Sequence, residues 1–456
     1  MYTLLAISLL GIFCLLLEVI NLRKIIIPFV SVGLLSTLIY TYFQVNVNQS
    51  YLNNMLVTNK FTVGFSCLFI LLTLFIVLLS ADYYKQQQHK IADFISIKIF
   101  LLAGGIAMVS FGNLAMFFLG LEVLSISLYI LAGSNPLSLK SNEAGMKYFI
   151  MGSFASGIIL FGISLIYGAI GSFDMNVIYE ASHSASTVDW FYIGAILISV
   201  GMLFKIAAVP FHFWAPDVYE GSPAIVTLTM STLAKVIAIA TFIKLNRALN
   251  GNMRDVYDVM IITIAILSMT VGNIMALKQD NVKRMLAYSG ISHAGFMLVS
   301  LLNENLYVPT LFYYTIAYAT AGVAVFAVLL YVCKDKEDEN IKHFKGFYKR
   351  SPILAIILTG GLMSMAGIPM FAGFFAKFFV FTEAIKSGFP VLVVFGVINS
   401  IIAIGYYFKL IKVVYNPNAD TQEYNGEKIP FVYYAVAIAA IGLNLAIGFF
   451  PALITR

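Results

Sequence analysis

Hydrophobic residues occur along this chain in long runs, separated by short stretches that carry most of the charges, prolines and turn-forming residues. A helix that crosses a bilayer needs about 20 predominantly apolar residues, because each residue advances it by about 1.5 Å. Matching the runs to that length predicts fourteen transmembrane helices. They cover approximately residues 3–20, 25–43, 61–80, 95–111, 113–133, 144–170, 190–209, 223–246, 257–277, 283–302, 307–332, 352–385, 388–415 and 430–452. The pattern therefore predicts an all-α polytopic membrane protein.

Composition supports this fold class and excludes others. Of the 456 residues, 60% are hydrophobic and 11% charged, with a mean hydropathy of +0.90, whereas soluble domains carry about 25% charged residues. The three cysteines, Cys14, Cys67 and Cys333, contain no CxxC pair and are too few for the four thiolates of a typical iron–sulfur cluster. The net charge of +6 is spread over short loops, which argues against nucleic-acid binding.

The distribution of basic residues predicts the orientation. Of 28 Lys and Arg residues, nineteen fall on the side of the first loop, six on the other side, and three within spans. Under the positive-inside rule, the first-loop side is the cytoplasmic one, and both termini face outward. The first apolar run has no basic segment before it and contains Glu18, so it is interpreted as a retained span rather than a cleaved signal.

Two predicted spans contain helix-breaking residues. The seventh span is followed directly by Pro210, and the chain continues, still apolar and aromatic, through Pro216. The twelfth stretch, 352–385, would be about 51 Å long as one helix, and it is interrupted at Gly367 and Pro369. Either interruption alone could be a simple proline kink, but non-helical backbone at membrane depth is typical of ion pathways.

The two interruptions lie five spans apart, which predicts two five-helix blocks in opposite orientations, spans 4–8 and spans 9–13. We therefore expect four regions. They are an N-terminal three-helix segment (1–94), a first antiporter-like repeat (95–246), a second, inverted repeat (247–415), and a C-terminal loop with the last helix (416–456).

Four ionisable residues lie well inside spans or close to the breaks, away from the span ends: Glu122, Lys205, Lys235 and Lys377. A charge at the bilayer centre costs at least about 2.5–3.5 kcal/mol. A single such residue could form a structural pair or extend to the interface. A set of four, with one lysine near each broken helix, favours ion translocation, and closely spaced lysines are suited to passing protons.

Three further residues are candidates for an accessory relay: Lys147, His293 and His212. Each could equally well be structural, and the sequence leaves both roles open. The chain contains no GxxxxGK[ST] or GxGxxG motif and no paired histidines within spans. We therefore expect no cofactor and no metal on this chain, so the energy for transport must come from another ion gradient or from a partner protein.

Three segments resemble a known family. They are residues 205–223, which end in Val218-Tyr219-Glu220-Gly221-Ser222-Pro223, residues 281–295, and residues 367–378. They resemble the antiporter-like subunits of respiratory complex I, and the ending of the first segment is more similar to N-type members than to L-type, M-type or Mrp antiporter members. The resemblance covers roughly residues 100–415.

This resemblance implies residue roles. Glu122 would pair with Lys205, Lys235 would be the central lysine, and Lys377 would release protons outward. It also implies a multi-pass protein of the inner (plasma) membrane that is one subunit of a proton-translocating NADH:quinone oxidoreductase. NAD, FMN, iron–sulfur clusters and quinone would then reside in partner subunits.

The implied partners are other antiporter-like subunits, small K/J/A-type membrane subunits, the peripheral redox arm and membrane lipid, with no nucleic acid. Two alternatives remain open at this point. One is a stand-alone or Mrp-type cation/proton antiporter, and the other is a structural scaffold.

Overall fold

The computed structural model describes residues 1–85, 90–184, 188–302, 307–334, 336–418 and 429–452, which are mostly α-helical. The first half contains α1 (Tyr2–Val19), α2 (Arg23–Tyr42), α3 (Lys60–Tyr83), α4 (Ile91–Ser110), α5 (Leu114–Ala132), α6 (Leu139–Ile170), α7 (Met175–Ser182), α8 (Asp189–Lys205), α9 (Trp214–Gly221), α10 (Ala224–Thr229) and α11 (Lys235–Leu249). The second half contains α12 (Arg254–Leu277), α13 (Val282–Leu298), α14 (Tyr307–Val332), α15 (Phe347–Arg350), α16 (Pro352–Ala366), α17 (Ala372–Lys386), α18 (Pro390–Val414) and α19 (Phe431–Phe449).

The predicted all-α polytopic class is confirmed. In the described part of the chain, eleven helical stretches are long and apolar enough to cross a membrane. The other three predicted spans correspond to α8 with α9, to α13, and to α16 with α17. A 3₁₀ turn, Val299–Leu301, extends α13. The sequence pattern missed the short surface helices α7 and α15 and an antiparallel hairpin of β1 (Gln49–Tyr51) and β2 (Leu56–Thr58).

The first helix break lies between α8 and α9. The backbone at Ala207 has a φ of 59°, a left-handed conformation that no α-helix continues through. The Val209 amide donates to the Ser268 hydroxyl at 2.9 Å, and the Trp214 indole donates to the Phe204 carbonyl at 3.0 Å. Contacts of this kind give hydrogen-bond partners to polar groups where the chain is not helical. Inside a bilayer, where water is absent, such groups need partners within the protein.

The second break lies between α16 and α17, where Gly367 has a φ of 88°. The Gly373 amide donates to the Ser364 hydroxyl at 3.2 Å, and the Ala372 amide donates to the Asn444 side chain at 3.3 Å. Both predicted breaks are therefore present, and both have protein partners for the freed backbone groups.

The two predicted blocks share an unusual packing detail. A Cβ on Gly104 of α4 would meet the Gly120 carbonyl and the Leu124 amide of α5, each at 2.8 Å. A Cβ on Gly272 of α12 would likewise meet the carbonyl of Tyr288 and the amide of Ser292, in α13, at 2.8 and 2.7 Å. Both helix pairs therefore pack backbone to backbone, at corresponding positions of the two blocks.

The helix caps match as well. Asn113 accepts a hydrogen bond from the Met116 amide at the start of α5 and forms an isolated β-bridge with Asp174. Asn281 caps α13 in the same way, through the Arg284 amide, and bridges to Asn340. These parallels support a repeated arrangement, while the residue boundaries of the blocks stay a prediction.

We predict that Gly104→Leu destabilises the chain by about 1–3 kcal/mol, because no side chain fits between α4 and α5. The matched control is Gly157→Leu, since a Cβ at Gly157 meets no atom within 4 Å. Thermal unfolding of the full chain in lipid nanodiscs, followed by tryptophan fluorescence, measures the difference. Equal midpoints for the two variants would contradict the close packing.

Candidate functional site

Lys205 is the last residue of α8, directly before the first break. Its ammonium donates to the Ser125 hydroxyl at 2.8 Å, the Tyr129 hydroxyl at 3.3 Å and the Ser156 hydroxyl at 3.4 Å. Ser125 and Tyr129 lie on α5 and Ser156 on α6. Three neutral oxygens therefore hold this lysine inside the bundle.

The expected direct pair between Glu122 and Lys205 is not present among the described residues. The Lys205 ammonium instead contacts Ser125, one helical turn along α5 from Glu122. Glu122 is half-buried, and its Oε1 atom is buried with no hydrogen-bond partner among the described residues. The sequence placed the two groups in the same region but could not show that neutral hydroxyls accept the hydrogen bonds of the ammonium.

Lys235 begins α11, directly after a π-helical segment, Met230–Ala234, that joins it to α10. The side chain is 3% exposed, and its ammonium donates to the Gly290 carbonyl of α13 at 2.7 Å. A Cβ on Gly290 would lie 2.7 Å from the Lys235 nitrogen and 3.3 Å from the Tyr318 hydroxyl. Glycine at this position therefore lets the lysine reach the backbone of the second block.

His293 lies one turn further along α13 and is 5% exposed. Its Nδ1 atom is 2.8 Å from the Tyr314 hydroxyl, and its Nε2 atom is 3.3 Å from the Tyr407 hydroxyl. The ring also packs against Tyr318, with centroids 4.9 Å apart. Both ring nitrogens therefore have hydroxyl partners, an arrangement suited to passing a proton through the imidazole.

Lys377 lies on α17, just past the second break, and is 5% exposed. Its ammonium donates to the Ala366 carbonyl at 2.9 Å, at the C-terminal end of α16. It also lies 4.8 Å from the centroid of the Phe296 ring. A helix C-terminus carries partial negative charge, so the break itself supplies a site for the cation.

One face of α13 connects the two deep lysines. Gly290 accepts the hydrogen bond from Lys235, His293 follows three residues later, and Phe296, which contacts Lys377, follows three residues after that. Residues three apart are neighbours on a helix surface. The structure therefore brings Lys235, His293 and Lys377 together along this face.

Two predicted accessory residues lie elsewhere. The ammonium of Lys147 forms ion pairs with Glu143 at 2.7 Å and with Asp217 at 3.1 Å, at the charged end of the bundle. His212 lies in the first break, and its Nδ1 atom is buried without a hydrogen-bond partner among the described residues.

Sequence reasoning assigned three lysines to loops or span ends, although Lys98 and Lys283 are buried and Lys244 is half-buried. Lys98 donates to the Ser80 hydroxyl at 2.7 Å, and Lys244 donates to the carbonyls of Val109 and Phe111 near the end of α4. Lys283 donates to the Ser222 carbonyl at 2.8 Å and forms an ion pair with Glu339 at 2.7 Å. The hydroxyls of Ser125 and Tyr129 could have been found from the sequence, because both residues lie at helical spacing from Glu122 and so share its helix face.

No group of three or more His, Cys, Asp or Glu residues that could hold a metal ion lies within the described ranges. Cys14, Cys67 and Cys333 are free thiols, and Cys14 and Cys333 are buried. The candidate site thus consists of ionisable side chains, hydroxyls and backbone carbonyls.

Comparison with known proteins identifies the family of the chain. The profile of the family described as NADH:quinone oxidoreductase/Mrp antiporter, TM matches residues 112–403. The chain is 59% identical to the NADH-quinone oxidoreductase subunit N of Flavobacterium johnsoniae, covering 100% of this chain and 99% of that protein.

Solved structures show the same fold. A chain of respiratory complex I from Thermus thermophilus superposes with a TM-score of 0.84 at 27% identity, covering 99% of this chain and 98% of that one. A chain of the Mrp complex from Dietzia sp. gives a TM-score of 0.87 at 20% identity, covering 99% of this chain and 95% of that one. The latter likeness concerns the fold alone.

The fold and the row of buried lysines define an antiporter-like membrane protein. The chain belongs to the NADH:quinone oxidoreductase/Mrp antiporter family and, within it, to the subunit N family of NADH-quinone oxidoreductases.

We predict that the double variant Ser125→Ala with Tyr129→Phe destabilises the chain by about 1.5–3 kcal/mol, because hydrogen bonds to a charged group are lost. Ser164→Ala, at an exposed hydroxyl of α6, is the control. Thermal unfolding of the full chain in nanodiscs measures both. A double variant as stable as the control would show that these hydroxyls do not stabilise the ammonium.

Proposed function

We propose that this chain is the antiporter-like subunit of a proton-pumping NADH:quinone oxidoreductase, and that it carries protons through Glu122, Lys205, Lys235, His293 and Lys377. The observation that supports this most directly is the contact of each deep lysine with neutral oxygens. Lys235 donates to the Gly290 carbonyl and Lys377 to the Ala366 carbonyl, at 2.7 and 2.9 Å. Hydroxyls hold Lys205.

Neutral partners matter because a lysine must lose its charge to pass a proton on. A carboxylate held against a buried ammonium would stabilise the charged form, and removing the charge from one partner would leave the other uncompensated. A carbonyl or hydroxyl oxygen accepts a hydrogen bond from the ammonium and leaves no net charge when the amine is neutral. Each of the three lysines can thus exist in both protonation states.

The proposed cycle begins at Glu122, which is half-buried at the surface of the bundle, where a neighbouring subunit could change its surroundings. A change in the carboxylate charge alters the electrostatic energy of the Lys205 ammonium, which passes its proton toward Lys235. Because like charges in a low-dielectric interior repel, the arriving proton favours transfer onward through His293 to Lys377. Lys377 then releases the proton on the outer side.

Electron transfer from NADH to quinone, in partner subunits that carry NAD, FMN and iron–sulfur clusters, supplies the energy in this proposal. The partners are other antiporter-like subunits, the small K/J/A-type subunits and the peripheral redox arm. The chain lies in the plasma membrane, with the basic loops on the cytoplasmic side and both termini outside. We call the end of the bundle formed by those loops the basic face.

Lys235→Met should lower proton translocation and, through coupling, quinone reduction by roughly tenfold or more in the assembled complex, because the side chain can no longer carry a proton. Lys235→Arg should be only partly tolerated, because arginine does not readily lose its proton. Lys412→Met, at an exposed lysine of α18, is the control.

The measurement is NADH-driven proton uptake, with quinone reduction, in inverted membrane vesicles. Normal pumping by a fully assembled Lys235→Met complex would exclude the proposed role. Sodium-dependent transport by the reconstituted chain alone would favour the cation/proton antiporter instead.

Glu122→Gln should have a similar effect, because glutamine keeps the shape of the side chain and removes the charge that acts on Lys205. We expect normal assembly with roughly tenfold slower coupled proton uptake. Glu143→Gln, at an exposed glutamate paired with Lys147, is the control. Equal activities of the two variants would show that charge at Glu122 is not required.

A further inference from the structure

A cavity of about 250 Å³ lies at the end of the bundle opposite the basic face. Helix α13 begins beside the basic loop of residues 278–284 and continues into the 3₁₀ turn Val299–Leu301, which forms one wall of the cavity. The start of α3 and the last turns of α11 form the other walls. Lys244 in this wall lies nine residues after Lys235 on α11, about 14 Å along the helix, so the cavity is separate from the lysine row.

Two basic side chains and no carboxylate line this cavity in the described part of the chain. The Lys244 ammonium donates to the Val109 carbonyl at 3.1 Å and to the Phe111 carbonyl, which leaves one of its three N–H groups for another partner. Arg247 is exposed, and no described carboxylate forms an ion pair with it. The cavity therefore presents positive charge that these residues do not neutralise.

Further basic residues lie next to the cavity. Lys60 directly follows Asn59 of the cavity wall. The Arg254 guanidinium, which also lies 3.9 Å from an Asp258 oxygen, donates to the Leu302 carbonyl at 3.4 Å, directly after the 3₁₀ turn. Like charges gathered at one place repel each other, and an anion bound between them removes part of this cost.

Two buried polar groups of the lining have no partner among the residues that the structure describes. Ser300 is 0% exposed and Asn246 is 1% exposed, and neither the Ser300 hydroxyl oxygen nor the Asn246 Oδ1 atom has a hydrogen-bond partner there. The Asn246 amide nitrogen donates to the Leu301 carbonyl at 2.9 Å, which assigns the other amide atom as an acceptor. Buried polar groups in folded proteins almost always have a partner, so these two groups point to a ligand in the cavity.

The combination of groups indicates the chemistry of that ligand. Oxygens of a phosphate group accept hydrogen bonds from guanidinium, ammonium and hydroxyl groups, which Arg247, Lys244 and Ser300 supply. The Asn246 oxygen, in contrast, needs a donor on the ligand. Inorganic phosphate keeps an O–H group near neutral pH, and the headgroup of phosphatidylglycerol joins a phosphate to glycerol hydroxyls, whereas sulfate has no donor.

We propose that this cavity is a binding site for a phosphate group that carries a hydrogen-bond donor, supplied as inorganic phosphate or as the headgroup of an anionic phospholipid. Arg247 and the remaining N–H group of Lys244 bind phosphate oxygens, Ser300 donates to another oxygen, and Asn246 accepts from the hydroxyl of the ligand. The site does not depend on the proposed proton translocation, and either proposal can fail without the other.

The first test measures equilibrium binding of radiolabelled inorganic phosphate to the full chain in phosphatidylcholine nanodiscs. We expect saturable binding that Arg247→Gln weakens by roughly tenfold or more, because a charge-assisted hydrogen bond is lost. Lys386→Gln is the matched control, since Lys386 is an exposed lysine at the same end of the bundle that pairs with Glu383 at 3.0 Å. Equal affinities of the two variants would overturn the role of Arg247.

The second test separates ligand binding from folding. Ser300→Ala should weaken phosphate binding by roughly fivefold or more. Its unfolding midpoint in phosphate-free buffer should equal that of the unsubstituted chain, because no described residue hydrogen-bonds to the hydroxyl. Ser164→Ala, at an exposed hydroxyl of α6, is the control. A Ser300→Ala chain that binds phosphate as tightly as Ser164→Ala would overturn the role of this hydroxyl.

The third test concerns the acceptor. Because sulfate offers no hydrogen to the Asn246 oxygen, excess sulfate should leave the labelled phosphate bound, whereas excess unlabelled phosphate should displace it. Sulfate that competes as effectively as phosphate would overturn the selectivity that we assign to Asn246.

Nanodiscs that contain phosphatidylglycerol distinguish the two sources of the phosphate group. If this lipid abolishes binding of labelled phosphate, and if mass spectrometry finds it retained by the unsubstituted chain but not by Arg247→Gln, the ligand is the lipid headgroup. If phosphate binds equally in both kinds of nanodisc, the ligand is the free ion. No saturable phosphate binding, together with equal lipid retention by the two chains, would overturn the site.

Discussion

The structure depends on one constraint: the ammonium groups of Lys205, Lys235 and Lys377 must be stabilised inside the bundle without a carboxylate in direct contact. A charge in the middle of a membrane is costly unless it is paired, hydrated or hydrogen-bonded. The bundle holds Lys205 with side-chain hydroxyls, and it holds Lys235 and Lys377 with backbone carbonyls. Such neutral partners lower the cost of the charge while allowing each lysine to become neutral, and proton transfer requires both states.

The broken helices follow from the same constraint. In an unbroken helix, carbonyls in the interior are bonded to the helix itself, so they are poor partners for a buried cation. Because α16 ends at Ala366, the Ala366 carbonyl is free to accept a hydrogen bond from Lys377. The close approach at Gly290 gives Lys235 the same kind of partner without a break. Departures from ideal helix packing therefore coincide with the ionisable groups.

Much of the architecture was predictable from the chain itself. Apolar runs long enough to span a bilayer predicted the helices, and Pro210, Gly367 and Pro369 predicted the two interruptions, because these residue types disrupt helical hydrogen bonding or favour left-handed backbone. The pairing of Glu122 with Lys205 stays a prediction, since hydroxyls rather than the carboxylate accept the hydrogen bonds of the ammonium among the described residues. Several hydroxyls compete for the same ammonium, and periodicity along single helices does not show which of them comes closest.

By itself, the sequence determined the all-α membrane class, the positions of both breaks and four ionisable residues inside the bundle, because apolar length, proline and intramembrane charge act locally along the chain. Tertiary structure decided which groups meet. The face of α13 that joins Lys235 to Lys377 through His293, and the burial of Lys98 and Lys283, depend on contacts between helices distant in sequence. Those contacts arise from packing in three dimensions, which no local pattern specifies.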